Sequence, residues 1–329
     1  MPDRLYVHVG HPPPDNAIRV LEENLDPSVE ITYGMGNAPP ETEVLVAGRP
    51  SREQLSACRE PRVLVIPYAG VPKETRELLL AEFPALEVYN LHHNAAAAAE
   101  LAVCLLLAAA KAVVPVDRQF RRHDWRNRYE GTSIRLLDGK TALILGMGAI
   151  GTRIAAACRA LGMDVHAIRK RQDRPHPLHV TVHSLDALHA LLPRVDALLI
   201  CLPLTPETED FIGEPELNLL PPSCVLVNVA RGPIVGEEAL YRALSEGRIA
   251  AAGIDVWYRY PSAPEERANT PPSRFPFHEL DNVVMSPHRG GAYRMEELEK
   301  QRMRDLAVVL NAIARGQPPP HPVDVRAGY

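Results

Sequence analysis

Before residue 100, short apolar runs alternate with stretches whose apolar positions recur at helical spacing. Leu5 to Val9, Val44 to Ala47 and Val63 to Ile66 read as strands, while Ala17 to Leu25 and Arg52 to Cys58 read as helices. A second series begins at Thr141, with strands at Ala142 to Leu145, Asp164 to Ile168, Ala197 to Cys201, Val225 to Val229, Ala251 to Val256 and Asn282 to Met285. Helical patterns separate most of them. This strand, helix, strand rhythm is that of parallel sheets, so the pattern predicts two α/β units, each built on a doubly wound parallel sheet.

The alanine-rich stretch Ala95 to Val114 predicts a buried helix between the two series, ended by Pro115, and the polar stretch Asp117 to Gly139 follows it. A final helix, about Met295 to Arg315, precedes Gly316-Gln-Pro-Pro-Pro-His-Pro, where the prolines forbid further helix. That helix is expected to return the chain to the first unit. Pro261 to Pro276 reads as a loop near the active cleft, because a strand resumes directly after it.

Composition narrows the class. The 329 residues suit two domains, each able to bury its own core, and 46% apolar with 23% charged residues is a globular composition. A net charge of −5 argues against a nucleic-acid binder that works through a broadly basic surface. Cys58, Cys104, Cys158, Cys201 and Cys224 show no C-x-x-C spacing, which fits a reducing cytoplasm and neither a zinc site nor a disulfide framework. The N-terminus carries an acid and no extended apolar core, so it reads as a first strand and not as a signal peptide. Glu100, Lys111 and many alanines leave Ala95 to Val114 short of a membrane span.

Chemistry is concentrated at the ends of the predicted strands. Ala142 to Leu145 runs into Gly146-Met-Gly148-Ala149-Ile150-Gly151 and then an apolar-periodic helix. In such a G-x-G-x-x-G turn the first glycine permits the tight bend, the second lets the backbone approach a pyrophosphate, and the third lets helix and strand pack closely. An NAD site usually has an acid at the end of the next strand for the ribose 2′-OH; here Arg169, Lys170 and Arg171 stand there, which favours the 2′-phosphate of NADP(H) over NAD(H). In open α/β sheets ligands bind beyond the carboxyl ends of the strands. Those ends present Ala230-Arg231-Gly232, Asp255 and Ser286-Pro287-His288. Arginine offers a planar two-donor clamp for a carboxylate, and histidine a proton donor titrating near neutral pH. Together they suit reduction of a small anionic 2-oxo acid. No His, Asp or Glu spacing suggests metal ligands, and hydride transfer needs none.

With these residues in place the chain resembles the D-2-hydroxyacid dehydrogenases. The matching segments are Gly146 to Gly151, Cys201-Leu-Pro-Leu-Thr-Pro-Glu-Thr208, Asn228-Val-Ala-Arg-Gly-Pro-Ile-Val235, Gly253-Ile-Asp-Val-Trp257 and Asn282-Val-Val-Met-Ser-Pro-His288. The resemblance implies a flavodoxin-like substrate domain from residues 1–105 and 293–329, and a Rossmann coenzyme domain from 106–292. It implies that Arg231 holds the substrate carboxylate and carbonyl oxygen, that His288 is general acid in reduction and general base in oxidation, and that Asp255 binds the nicotinamide carboxamide. It places further cofactor contacts at Cys201, Leu202, Pro203, Thr208, Val229, Ala230, His288 and Gly290. In the first domain, Tyr68-Ala69-Gly70-Val71 resembles the loop whose backbone N–H groups grip the carboxylate, and Asn94 matches an asparagine lining the same site. The segment Asp117 to Gly139 resembles the family's pairing arm and implies a homodimer.

One position departs from the family pattern. Where a glutamate usually hydrogen-bonds the catalytic histidine, this chain has Tyr260, just before Pro261. A tyrosine could orient the imidazole by a hydrogen bond but could not stabilise imidazolium as a carboxylate does. Glu265, Glu266 and Glu279 are the nearby acids that could substitute. The same fold also serves as a dinucleotide-sensing corepressor that binds partner proteins, a reading to which the missing glutamate gives some force.

Overall fold

The computed structural model describes residues 4–58, 61–130, 134–170, 180–291 and 295–328. It comprises two compact units, Met1–Asn94 with Ala292–Tyr329, and Ala95–Gly291.

The first unit is built on five parallel strands: β1 (Leu5–Val9), β2 (Val29–Tyr33), β3 (Val44–Val46), β4 (Val63–Ile66) and β5 (Glu87–Asn90), in the order β2-β1-β3-β4-β5. This is the flavodoxin-like order of a doubly wound sheet. The two strands the sequence pattern does not reveal, β2 and β5, are the two edges. Val-Glu-Ile-Thr-Tyr and Glu-Val-Tyr-Asn lack the continuous apolar runs that burial on both faces imposes on the inner strands. The outer edge of β5 is partly covered by the C-terminal segment, through Asn90 N to His321 O at 3.3 Å and Val323 N to Val88 O at 2.8 Å. The final helix, Glu296–Ala314, packs Met303, Leu306, Val309 and Leu310 against β1, β3 and the helix Asp15–Asn24.

The second unit carries seven parallel strands: β6 (Thr141–Leu145), β7 (Asp164–Ile168), β8 (Thr181–His183), β9 (Ala197–Ile200), β10 (Val225–Asn228), β11 (Ala251–Ile254) and β12 (Val283–Met285). Their order is β12-β11-β10-β9-β6-β7-β8, so the winding reverses at β6, which pairs with both β7 and β9. The crevice at that switch point is where an α/β sheet takes its ligand.

The alanine-rich helix belongs to this unit as a whole. Ala99, Ala102, Leu105, Leu106 and Ala109 share a core with Ile154, Ile144, Val225 and Val227. A boundary between 105 and 106 therefore falls inside the helix Ala95–Ala110, because small side chains let its whole length lie against the sheet. Pro115 does not end this helix. The chain breaks earlier, at Ala112 with φ of 49°, and a second helix, Val113–Phe120, carries Pro115 in its first turn. Proline is tolerated there because the first-turn N–H groups have no intrahelical partner to lose. Among the described residues no single helix is long and apolar enough to cross a membrane; these two pass such a test only as a pair, bent by 63°.

Candidate active site

The fingerprint loop has the shape its glycines require. Gly146 lies at φ of +98°, and a Cβ there would meet the Cys201 carbonyl oxygen at 2.9 Å. A Cβ on Gly151 would collide with the carbonyl oxygen of Gly146, so helix and loop can close together only without one. Gly148 differs: a Cβ there would meet nothing within 4 Å. It is also the N-cap of the helix Ala149–Ala160 and offers no capping side chain, so the first-turn N–H groups, those of Ala149, Ile150 and Gly151, have no side-chain cap. A pyrophosphate fits that cradle, since a helix N-terminus combines free donors with the positive end of the dipole.

The rim of the crevice comes from the ends of β7, β9 and β10. Cys201 N donates to Leu145 O at 2.8 Å, and the turn after it is closed by Thr208, whose hydroxyl donates to Pro203 O at 2.7 Å and accepts from Thr205 N. Burial pushes the Cys201 thiol up to about 12, so it acts as wall and not as nucleophile. Arg169 N bonds His183 O at the end of β7, and Lys170 forms an exposed 2.8 Å ion pair with Glu207. Arg171 lies outside the described residues.

At the tip of β10, the buried Asn228 shapes the loop that carries the arginine. Its Oδ1 accepts from Ala230 N at 3.0 Å and its Nδ2 donates to Arg231 O at 2.9 Å, fixing Val229, Ala230 and Arg231 in place. Arg231 donates through Nη1 to Ala230 O, leaving most of its donors for other acceptors. Burial lowers its pKa, although a guanidinium stays charged throughout the accessible range.

Asp255, at the end of β11, is buried and holds the histidine loop. Its Oδ1 accepts from Ser286 Oγ at 2.5 Å and from Arg289 N at 2.9 Å, and its Oδ2 accepts from Gly290 N at 2.8 Å. Successive N–H groups aimed at one carboxylate form a nest, and the residue before them, His288, takes the left-handed backbone with φ of 53°. Trp257 adds a second tie, Nε1 to Ser286 O at 2.8 Å. His288 therefore projects from a loop clamped on both sides. Its side chain is open to water in part, yet loss of water on its protein side pulls its pKa below the ordinary value, the Arg231 charge lowers it further, and Asp255 opposes both.

Tyr260 does not hydrogen-bond the imidazole. Its Oη accepts from Trp257 N at 3.0 Å, and its ring lies 5.5 Å from the His288 ring at an angle of 56°. The nearby acids do not replace the glutamate either. Glu266 accepts from Ser262 N and Oγ, Glu279 lies 3.9 Å from His278, and Glu265 is exposed. Among the described residues no carboxylate bonds His288.

The remaining substrate candidates belong to the first unit. Asn90, buried at the end of β5, donates to Ala69 O at 2.6 Å and so pins the loop Tyr68 to Val71 just beyond β4. Asn94 Oδ1 and His93 Nδ1 are buried side-chain atoms without a partner among the described residues, the state of groups that await a ligand or water. Burial holds His92 and His93 at about 4, so both are neutral at pH 7. The sequence reading did not single out Asn90, Asn228 or Ser286 as positioning residues. Their one legible signal is a small polar side chain at or just past a strand's carboxyl end.

The winding, the glycine cradle and the cluster of Arg231, Asp255 and His288 define a dinucleotide-binding α/β protein with a polar site at its strand tips. The family model for the D-isomer specific 2-hydroxyacid dehydrogenase, NAD binding domain, matches residues 103–290, more than half of the chain. The D-3-phosphoglycerate dehydrogenase of Methanocaldococcus jannaschii is 30% identical over 317 residues, covering 94% of this chain and 57% of that protein. The glyoxylate reductase of Aeropyrum pernix is 38% identical over 235 residues, covering 69% of this chain and 66% of that protein. The chain thus spans between about half and two thirds of these relatives' length. A solved D-isomer specific 2-hydroxyacid dehydrogenase from Xanthobacter autotrophicus Py2, in complex with NADPH and MES, superposes with a TM-score of 0.79 at 23% identity, over 99% of this chain and 100% of that one. The chain belongs to the D-isomer specific 2-hydroxyacid dehydrogenase family.

If Asp255 holds the histidine loop as described, Asp255→Ala frees two amides. Hydrogen exchange should then show Arg289 and Gly290 losing protection by about tenfold or more, the loss of a hydrogen bond to a charged acceptor, while amides in β6 and β10 keep theirs.

Proposed function

We propose that this protein transfers a hydride between NAD(P)H and a small 2-oxo acid, interconverting it with the 2-hydroxy acid. The observation that carries the reading is the placement of Arg231 and His288 at the tips of β10 and β12, on either side of β11, with the Arg231 charge acting on the imidazole, in the unit that also holds an open phosphate cradle. When bound, the nicotinamide supplies or accepts the hydride at the carbonyl carbon. Arg231 holds the carboxylate and polarises the carbonyl oxygen, so that negative charge developing there meets a fixed cation. His288 gives that oxygen its proton in reduction and takes it back in oxidation. Asp255 has three of about four acceptor positions occupied by the histidine loop, which leaves one for a carboxamide N–H. In the first unit, the backbone of Ala69, Gly70 and Val71 and the side chain of Asn94 are proposed as carboxylate-binding groups.

Turnover of glyoxylate and hydroxypyruvate with either reduced cofactor tests the reading; no oxidation of either cofactor would contradict it. Free thiols at all five cysteines suit a reducing compartment, here proposed as the cytoplasm.

Three expectations follow from particular residues. Arg169 and Lys170 at the end of β7 favour a 2′-phosphate, and the exposed Lys170–Glu207 pair is screened by solvent and too weak to hold Lys170 from a dianion. Fluorescence titration should show NADPH binding more tightly than NADH; equal affinity or the reverse preference contradicts this. Next, Val113, Phe120, Trp125 and Tyr129 are exposed apolar side chains on one segment, with Phe120 and Trp125 in edge contact at 4.8 Å. Such a patch marks an interface, and light scattering at micromolar concentration should report a homodimer, a monomer being the contrary result. Last, among the described residues His288 has no carboxylate partner, and burial lowers its pKa. Reduction needs imidazolium, so kcat/KM for reduction should fall as pH rises through a midpoint below about 6.5, and oxidation should persist to correspondingly low pH. Tyr260→Glu should move the reductive limb upward, and a wild-type limb above about pH 7.5 would refute the unpaired histidine.

A further inference from the structure

Tyr260 stands where the family pattern has an acid that serves the histidine, yet its hydroxyl serves something else. The phenol oxygen accepts the Trp257 N–H at 3.0 Å, so the turn from Trp257 to Tyr260 folds the side chain back across its own backbone. A phenol has one proton to give and two lone pairs with which to accept. One lone pair is taken; the proton has no acceptor among the described residues. Side-chain donors normally find partners, and a hydroxyl polarised by an incoming N–H is a stronger donor than one in isolation.

The surroundings specify what that proton is for. The Tyr260 ring lies beside His288 at 5.5 Å. Tyr260 and Arg231 each feel the other's charge state: the guanidinium favours phenolate, and phenolate would favour the guanidinium. An O–H donor thus shares a space with a cation that has most of its own donors uncommitted and with the His288 ring. No acidic side chain among the described residues occupies that space; Asp255, the nearest charge of opposite sign, has turned both oxygens to the histidine loop. A group that accepts from Arg231 would therefore find Tyr260 as a second donor. A glutamate at 260 could not do this, because an ionised carboxylate only accepts.

We infer that Tyr260 is a substrate-binding residue whose phenol O–H donates to the carboxylate of a 2-oxo acid held by Arg231, so that the chain exchanges an acid that tunes the histidine for a donor that grips the anion. The inference rests on the hydride-transfer reading above and goes beyond it by moving position 260 from the proton-transfer step to substrate capture. A charge-assisted hydrogen bond from Tyr260 adds to the attraction that Arg231 exerts on the carboxylate.

The test separates the hydroxyl from the ring. Tyr260→Phe keeps the ring beside His288 and removes the donor. In the NADPH complex, oxamate, a carboxylate-bearing substrate mimic, should bind about tenfold or more weakly to this variant by fluorescence titration, as expected for a lost hydrogen bond to a charged group. KM for glyoxylate should rise by a similar factor while kcat falls less, and the pH limb of reduction should not move. Because the variant also strips Trp257 N of its acceptor, the neutral methyl glyoxylate serves as control: its kcat/KM should change much less than that of glyoxylate. Equal loss for acid and ester, or unchanged oxamate affinity, overturns the inference. A displaced pH limb with unchanged KM also overturns it, since that result assigns Tyr260 to the histidine alone. Should the wild type bind oxamate yet turn over no 2-oxo acid, the hydride-transfer reading fails while the oxamate titration still decides the role of Tyr260.

Discussion

A carboxylate taken out of water must be met by hydrogen-bond donors, and the coenzyme unit is organised around one such group. Asp255 ends β11 at the level where β12 also ends, and its two oxygens collect the Ser286 hydroxyl and the amides of Arg289 and Gly290. The left-handed turn at His288 is thereby held in place, and a backbone state that is uncommon for a side-chain-bearing residue becomes the one that satisfies the buried charge. Trp257 continues the theme two residues on, tying Ser286 O to a ring that is itself packed edge-on against Phe277.

From that anchor the electrostatic character of the site follows. One fixed cation, Arg231, lies close to a histidine that loses its proton early, and the arginine is itself part of the reason. Among the described residues no carboxylate bonded to the imidazole offsets that repulsion; a phenol lies beside it, its oxygen engaged with Trp257 N. The result is a site with one fixed cation beside a histidine that holds its proton less tightly than a free imidazole does. The glycine cradle at β6 is independent of this arrangement. It depends on the missing side chains of Gly146, Gly148 and Gly151 and on a helix that begins without a cap.

Much of this was legible in the chain because the same constraint wrote both sequence and structure. Strands buried on both faces tend to be continuous in Val, Leu, Ile and Ala, so β3, β4, β6, β9 and β10 stand out. The edge strands β2, β5 and β8 face water or carry polar ends, and they leave no such run. Pro115 misled for a physical reason: a proline after an apolar stretch reads as a stop, but the same residue is equally at home in the first turn of the next helix. The strand-tip residues that hold ligands could be found from their position and their charge. The residues that position them, Asn90, Asn228 and Ser286, act through hydrogen bonds to backbone that only the folded chain brings together. Tyr260 was visible as a departure from a pattern, but which atom its hydroxyl would choose was not.

The central claim is that Arg231 and His288 direct a hydride to the carbonyl carbon of a 2-oxo acid. Its most direct measurement uses NADPH deuterated at the transferable position, incubated with the protein and glyoxylate, with mass spectrometry of the glycolate formed. Deuterium at C2 of the product, with the yield collapsing in Arg231→Ala and His288→Ala variants that still bind NADPH, is the predicted result. Glycolate without deuterium, or labelled glycolate formed equally well by both variants, would contradict the claim.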